Sequence, residues 1–313
     1  MVDHSLEGEF GRSWSVAVLA ATPGVGASTV TIAAGAMVDA AVGPVGQNVM
    51  LMDADLRTAG LTRLLHQWGS AMHYGGGFTG FALDRAIPLD FRSLEPRLTP
   101  MRSPDGRKGE MWLLTQGTPG DPPLEDLVNL PKIMGMAVQR LVELAGCLLV
   151  DCGFEWSEVT VEICRAVEFI AVVSEPGGLA RPETRRLVDR LKEHGLIHNN
   201  LLLVENQPTP GAISAADVEP RTATNGTGPA PTNGSTPTNG SAHPTAAEHA
   251  LERGLFPSPH ERTLIHLPYA PDTVAALYAS ELPALDTPFG ADLKRQMEAL
   301  DPALFYSGFD LST

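Results

Sequence analysis

The chain has 313 residues and is 43% apolar, enough for one large α/β domain or two small ones. Its 37 acidic residues outnumber 22 basic ones, and the formal charge of −15 repels phosphate backbones and anionic lipid, which excludes direct nucleic-acid binding by the whole surface and leaves only a local basic patch. The first fifteen residues carry acids without a long apolar stretch, and no run approaches ~18 apolar residues, so neither a secretory signal nor a membrane span is expected and a cytoplasmic location is.

Short apolar runs alternate with helix-length segments. Residues 15–20 (SVAVLA), 48–53 (NVMLMD), 111–116 (MWLLTQ), 147–151 (CLLVD), 169–174 (FIAVVS), 200–206 (NLLLVEN) and 263–268 (TLIHLP) read as strands. Most are nearly continuous in apolar residues, as in a parallel sheet buried on both faces. Helices are expected over the alanine-rich 29–42, over 123–145 and over the amphipathic 179–194, and the alternation predicts a doubly wound, mostly parallel α/β sheet. Residues 96–109 (PRLTPMRSPDGRKG) read as a basic, turn-rich surface loop. Residues 207–247 repeat Thr-Asn-Gly among prolines and serines and read as a disordered insertion, because they hold too few bulky apolar residues to make a core. The expected organisation is therefore a disordered N-terminus (1–12) and a single domain built from 13–206 and 248–305. In the last helix, about 290–305, Leu293, Met297, Leu300 and Leu304 line one face. Acids outnumber bases there, so it is expected to pack on the domain or else on a partner, with any membrane contact made through a partner. Cys147, Cys152 and Cys164 show no metal or redox spacing and read as buried thiols.

Chemistry concentrates at three strand ends. The turn Gly24-Val25-Gly26-Ala27-Ser28-Thr29 lies between a strand and a helix, where backbone N–H groups and the helix N-terminus favour an anion. Ser28 stands where a hydroxyl would ligate Mg²⁺. Asp53 and Asp55, at the end of the second strand, could hold Mg²⁺ or orient a water. Asp151, after CLLV, has the place of a Walker B aspartate.

With these residues in place, the chain resembles the ParA/MinD branch of deviant-Walker P-loop proteins, a branch that also holds the bacterial tyrosine kinases of capsule export. The likeness runs from about residue 13 to 285 apart from the insertion. The family loop K-G-G-V-G-K-[ST]-T meets Thr22-Pro23-Gly24-Val25-Gly26-Ala27-Ser28-Thr29 here, and 49–57 (VMLMDADLR) is similar to the D-x-D-x-R form of the kinases. The final segment LPYAPDTVAALYASELPAL is similar to the last strand and helix of MinD proteins. The resemblance implies ATP or ADP with Mg²⁺, phosphates on residues 24–29, metal at Ser28, Asp53 and Asp151, Asp55 as the catalytic group of an active enzyme, and adenine at Asn206. It also implies a possible homodimer facing across the nucleotide, and a protein partner within a larger assembly.

The departures set the expected function. Both family lysines are absent, replaced by Thr22 and Ala27. A charge-assisted hydrogen bond to phosphate contributes roughly 1.5–3 kcal/mol, so losing two weakens ATP by about two to four decades. Phosphoryl transfer suffers more, because it depends on charge stabilisation and positioning. The lysine-free loop looks like that of the CpaE/TadZ group, MinD-like localisation factors of Tad pili. Four tyrosines without a C-terminal cluster argue against a kinase. The leading expectation is a degenerate scaffold that binds nucleotide weakly and hydrolyses little. The alternatives are an active dimeric ATPase, with the lysine's role taken in trans or by Arg57, and a structural partner with an empty site.

Overall fold

A computed structural model describes residues 14–42, 48–67, 77–79, 94–101, 111–117, 124, 127–178, 181–196, 201–207, 262–268, 270, 272–273 and 287–300. The expected N-terminal segment (1–12) and, beyond Gln207, the low-complexity stretch 207–247 lie outside the described residues.

Eight strands make one sheet: β1 (Trp14–Ala20), β2 (Val49–Asp53), β3 (Thr99–Met101), β4 (Met111–Leu114), β5 (Cys147–Asp151), β6 (Phe169–Ser174), β7 (Leu201–Asn206) and β8 (Arg262–Leu267). Their spatial order is β3-β4-β2-β5-β1-β6-β7-β8. Every pairing is parallel except β3 with β4. The central strands are buried along their length, as their unbroken apolar sequences require. Along β1 the side chains divide by alternation: Val16 and Val18 join the core on one face, Ala17 and Leu19 the core on the other.

Among the described residues, six α-helices cover the two faces: α1 (Ala27–Val42), α2 (Gly60–Gln67), α3 (Leu130–Ala145), α4 (Glu158–Ala166), α5 (Pro182–Glu193) and α6 (Pro288–Leu300). Residues of α1 and α6 share one core, and those of α3, α4 and α5 share the other. Phe289 and Leu293 of α6 are buried, so this part of the helix packs on the domain, while the side chains of Met297 and Leu300, and Leu304, expected on the same face, lie outside the described residues. The three cysteines are buried and unbonded.

The sequence reading needs correction at two places. The segment 96–109 is not only a loop, since β3 lies within it and buries Thr99 and Met101. Pro100 masks the strand in the sequence, yet it is tolerated because β3 is an edge strand. The helix expected from residue 123 begins at Leu130, because Asn129 takes a left-handed conformation (φ 64°) and proline occupies the first turn.

The alanine-rich α1 lies close on the sheet where Gly35 faces β2. A Cβ at position 35 would stand 2.6 Å from Leu51 Cδ2 and 3.2 Å from Met111 Sδ. Gly35→Val should therefore force α1 off β2 and destabilise the domain by roughly 1–3 kcal/mol. Thermal unfolding should show a midpoint lowered by about 2–4 °C for each kcal/mol. An unchanged midpoint would contradict this packing.

Candidate nucleotide site

The site forms where the chain leaves β1 at the centre of the sheet, with β5 on one side and β6 on the other. Ala20 N–H donates to Gly153 O at 2.7 Å and Ala21 N–H to Val173 O at 2.8 Å, fixing the start of the loop between both neighbours. Gly24 and Gly26 have φ of +83° and +84°, a region that side chains other than glycine's enter at a cost. The first α-helical bond is Val30 N–H to Gly26 O at 2.9 Å. Among the described residues, the N–H groups of Ala27, Ser28 and Thr29 then take no partner, as at any open helix start. That is a ready cradle for an anion.

Ser28 and Asp151 meet directly: the hydroxyl donates to Asp151 Oδ2 at 2.5 Å, and Gly153 N–H donates to Oδ1 at 3.1 Å. Gly60, the first residue of α2, closes over the pair, since a Cβ there would lie 2.4 Å from Ser28 Oγ. Asp53 ends β2 in register with Asp151 on β5, and both are fully buried. Its carboxylate faces α2 and β4. Oδ2 accepts from Thr62 N–H at 2.7 Å, and Oδ1 from Asp55 N–H at 3.1 Å and Gln116 Nε2 at 3.3 Å. Of the three expected metal ligands, the structure joins Ser28 to Asp151 and places Asp53 beside them with its oxygens engaged elsewhere. Asp55, expected as the catalytic group, is 4% exposed and holds its own turn. It accepts from Arg57 N–H at 3.2 Å, from Thr58 N–H at 3.0 Å and from the Thr58 hydroxyl. Asn206, expected at adenine, donates Nδ2 to Val25 O at 2.8 Å and lies under Gly26, bracing the loop from the end of β7.

Cationic groups are scarce at this site. No lysine or arginine occurs between Ser13 and Leu56. Ala27 opens α1 and is buried. Arg57 turns outward, pairs with Glu155 at 3.2 Å and lies over the Phe154 ring at 5.9 Å from its centroid. Burial, reinforced by the neighbouring Asp151 charge, raises the Asp53 pKa to about 7. Burial likewise raises Asp151 to about 6, opposed by its hydrogen bond from Ser28. Gln116, Thr62 and Gly60 escaped the sequence reading. Gln116 follows the MWLL strand, and the rule that flagged Asp53 and Asp151 as strand-end polar groups would have found it.

The residues present fit a phosphate at the open N–H groups and a divalent cation at Ser28 and Asp151. No cluster of three or more His, Cys, Asp or Glu able to hold a metal occurs among the described residues, so phosphate oxygens would have to complete the coordination.

No protein-family model matches the chain, and no curated protein matches it in sequence. Solved structures do match. A ParA family ATPase from Chlorobium tepidum superposes with a TM-score of 0.62 at 14% identity, covering 90% of this chain and 98% of that one. The septum site-determining protein MinD of Pyrococcus horikoshii, complexed with Mg-ADP, gives 0.58 at 14% identity over 92% and 96% of the two chains. An ATP complex of a Cyanothece McdA variant gives 0.54 at 13% identity over 94% and 97%. The chain has the ParA/MinD fold. Within that fold the glycine turn occupies the β1–α1 connection, and the strand-end aspartates flank it.

Both raised pKa values have one consequence for stability. Below the ordinary carboxylate range folded and unfolded chains are equally protonated. Between about pH 4 and 7 the folded chain holds protons that the unfolded chain has lost, so stability falls as pH rises and the contribution is gone above the folded pKa values. Asp53→Asn should flatten the decline in melting midpoint between pH 5 and 8 and raise the midpoint at pH 8. Parallel profiles for the two proteins would contradict the raised pKa of Asp53.

Proposed function

We propose that this protein is a degenerate ParA/MinD-like P-loop protein, a spatial organiser or scaffold for a pilus, secretion or polysaccharide machine, that binds ATP or ADP weakly and hydrolyses little. One observation carries the reading: the phosphate loop keeps its glycines, its Ser28 hydroxyl and its Asp151 partner, while Ala27 stands where the lysine belongs. The solved MinD and McdA structures, complexed with Mg-ADP and ATP respectively, support nucleotide as the ligand. The lysine-free loop is most like that of the CpaE/TadZ localisation factors. In this reading the N–H groups of residues 24–29 hold phosphate oxygens, and Ser28 and Asp151 hold Mg²⁺. Bound Mg²⁺ would neutralise part of the carboxylate and phosphate charge.

The chemistry these residues can supply is limited. Asp55 would have to break its turn to act on water, and Arg57 would have to leave Glu155 to reach a phosphate. With no lysine or arginine between Ser13 and Leu56, the loop offers charge developing on a transferring phosphoryl group backbone N–H groups but no side-chain cation. The pocket can therefore shape and report binding better than it can drive transfer. A protein partner fits an organiser's role, and a solved MinC:MinD complex shares the fold at 15% identity. A homodimer across the nucleotide is part of the same proposal.

At saturating Mg-ATP, purified protein should hydrolyse no more than ~0.1 ATP per minute, far below ordinary enzymes. Steady turnover above that rate, abolished by Ser28→Ala, would replace this reading with that of a working ATPase.

A further inference from the structure

Among the described residues, α5 carries a basic stretch in an otherwise acidic chain. Residues 181–193, covering α5, hold five basic and three acidic side chains in a chain whose total charge is −15. Thr184, Leu187, Val188 and Leu191 turn inward, which commits the opposite side of the helix to solvent. Two of the basic groups are engaged, Arg181 with Glu175 at 2.7 Å and Lys192 with Asp189 at 3.7 Å. Arg185, Arg186 and Arg190 are exposed and make no ion pair among the described residues.

These arginines lead to an aromatic shelf. Arg186, Arg190 and His194 succeed one another at four-residue spacing, so they stack along one line of the helix and its end. His194 N–H donates to Arg190 O at 3.1 Å, keeping the helical path to that point. There the imidazole lies 5.4 Å from the Trp156 ring, centroid to centroid. Trp156 is half-buried on the loop after β5, next to Glu155, which holds Arg57. The line thus begins in guanidinium groups without an ion pair among the described residues and ends on an indole one residue from Glu155, the partner of Arg57.

We propose that this stripe docks an acidic polypeptide segment of a partner, with carboxylates on Arg185, Arg186 and Arg190 and an apolar side chain on Trp156. Arginine binds carboxylates through a planar two-pronged fork, and arginine and tryptophan are both enriched at the hot spots of protein interfaces. Charge complementarity selects an acidic occupant. The narrowness of the stripe selects a short peptide over a nucleic acid, because a phosphate polymer needs a broad basic surface and three arginines give only a narrow one. The inference supplies the docking face that the scaffold reading requires and rests on that reading for the partner's being a protein.

The test uses the full chain and a fluorescein-labelled glutamate peptide with two central leucines, beside a labelled single-stranded DNA of equal charge. Anisotropy is followed at low ionic strength. The peptide should bind, and Arg186→Glu with Arg190→Glu should weaken it about tenfold or more. The charge-matched control, Lys294→Glu with Arg295→Glu on α6, should leave most of the binding. Melting midpoints of both doubles, whose altered side chains are exposed, should match the parent. Equal loss in the two doubles, no peptide binding by the parent, or DNA bound more tightly than peptide would overturn the proposal. ATP turnover on the same preparations is read separately. A failed docking face with background turnover leaves the weak-nucleotide reading standing, and brisk turnover with stripe-dependent binding does the reverse.

Discussion

Asp53 and Asp151 end neighbouring strands at the same level, buried, with no lysine or arginine in the adjoining loop. Much of the site is a response to those two carboxylates. Parallel register in the sheet centre brings them together, and backbone donors from Thr62, Asp55 and Gly153 solvate them in place of water. The Ser28 hydroxyl completes the set and fastens the glycine turn to β5. Burial raises both pKa values, with the Asp151 charge adding to the shift at Asp53 and the Asp55 charge to that at Asp151, so a proton takes the part that a cation would otherwise play. A loop built this way keeps its shape without the positive charge that phosphoryl transfer needs.

Asp55 and Asn206 extend the same logic. Each has a polar side chain at a strand end or just beyond one, where sequence patterns suggest a ligand, and each is spent on the protein. Asp55 closes the turn leading to α2, and Asn206 supports Val25 O from below. The loop is thus braced by β5 through Ser28 and by β7 through Asn206. Such bracing favours a preformed pocket, which suits recognition of a ligand more than movement during a reaction.

Much of the fold was legible because buried parallel strands write themselves as unbroken apolar runs, as in CLLVD and FIAVVS. The glycine turn and the strand-end aspartates were legible for a related reason: ligands on open α/β sheets gather at the carboxyl ends of strands. What escaped lacked such a signature. Thr99-Pro100-Met101 pairs only along one edge and contains a proline. The helix α4 is short and begins on a single Ser157 cap, whose side chain accepts from Thr160 N–H at 3.2 Å. Roles were harder to see than positions. The sequence placed Asp53 beside the loop, but only the structure reveals that Thr62, Asp55 and Gln116 claim its oxygens.

The central claim concerns position 27, where a missing ammonium separates a shaped pocket from a driven one. Calorimetric titration of Mg-ATP into the parent protein and into Ala27→Lys tests it most directly. The account predicts weak binding to the parent and affinity tightened by about tenfold or more in the variant, one charge-assisted hydrogen bond regained. Identical isotherms for the two proteins, with the variant folded, would contradict it and leave the loop as a structural relic that meets no nucleotide.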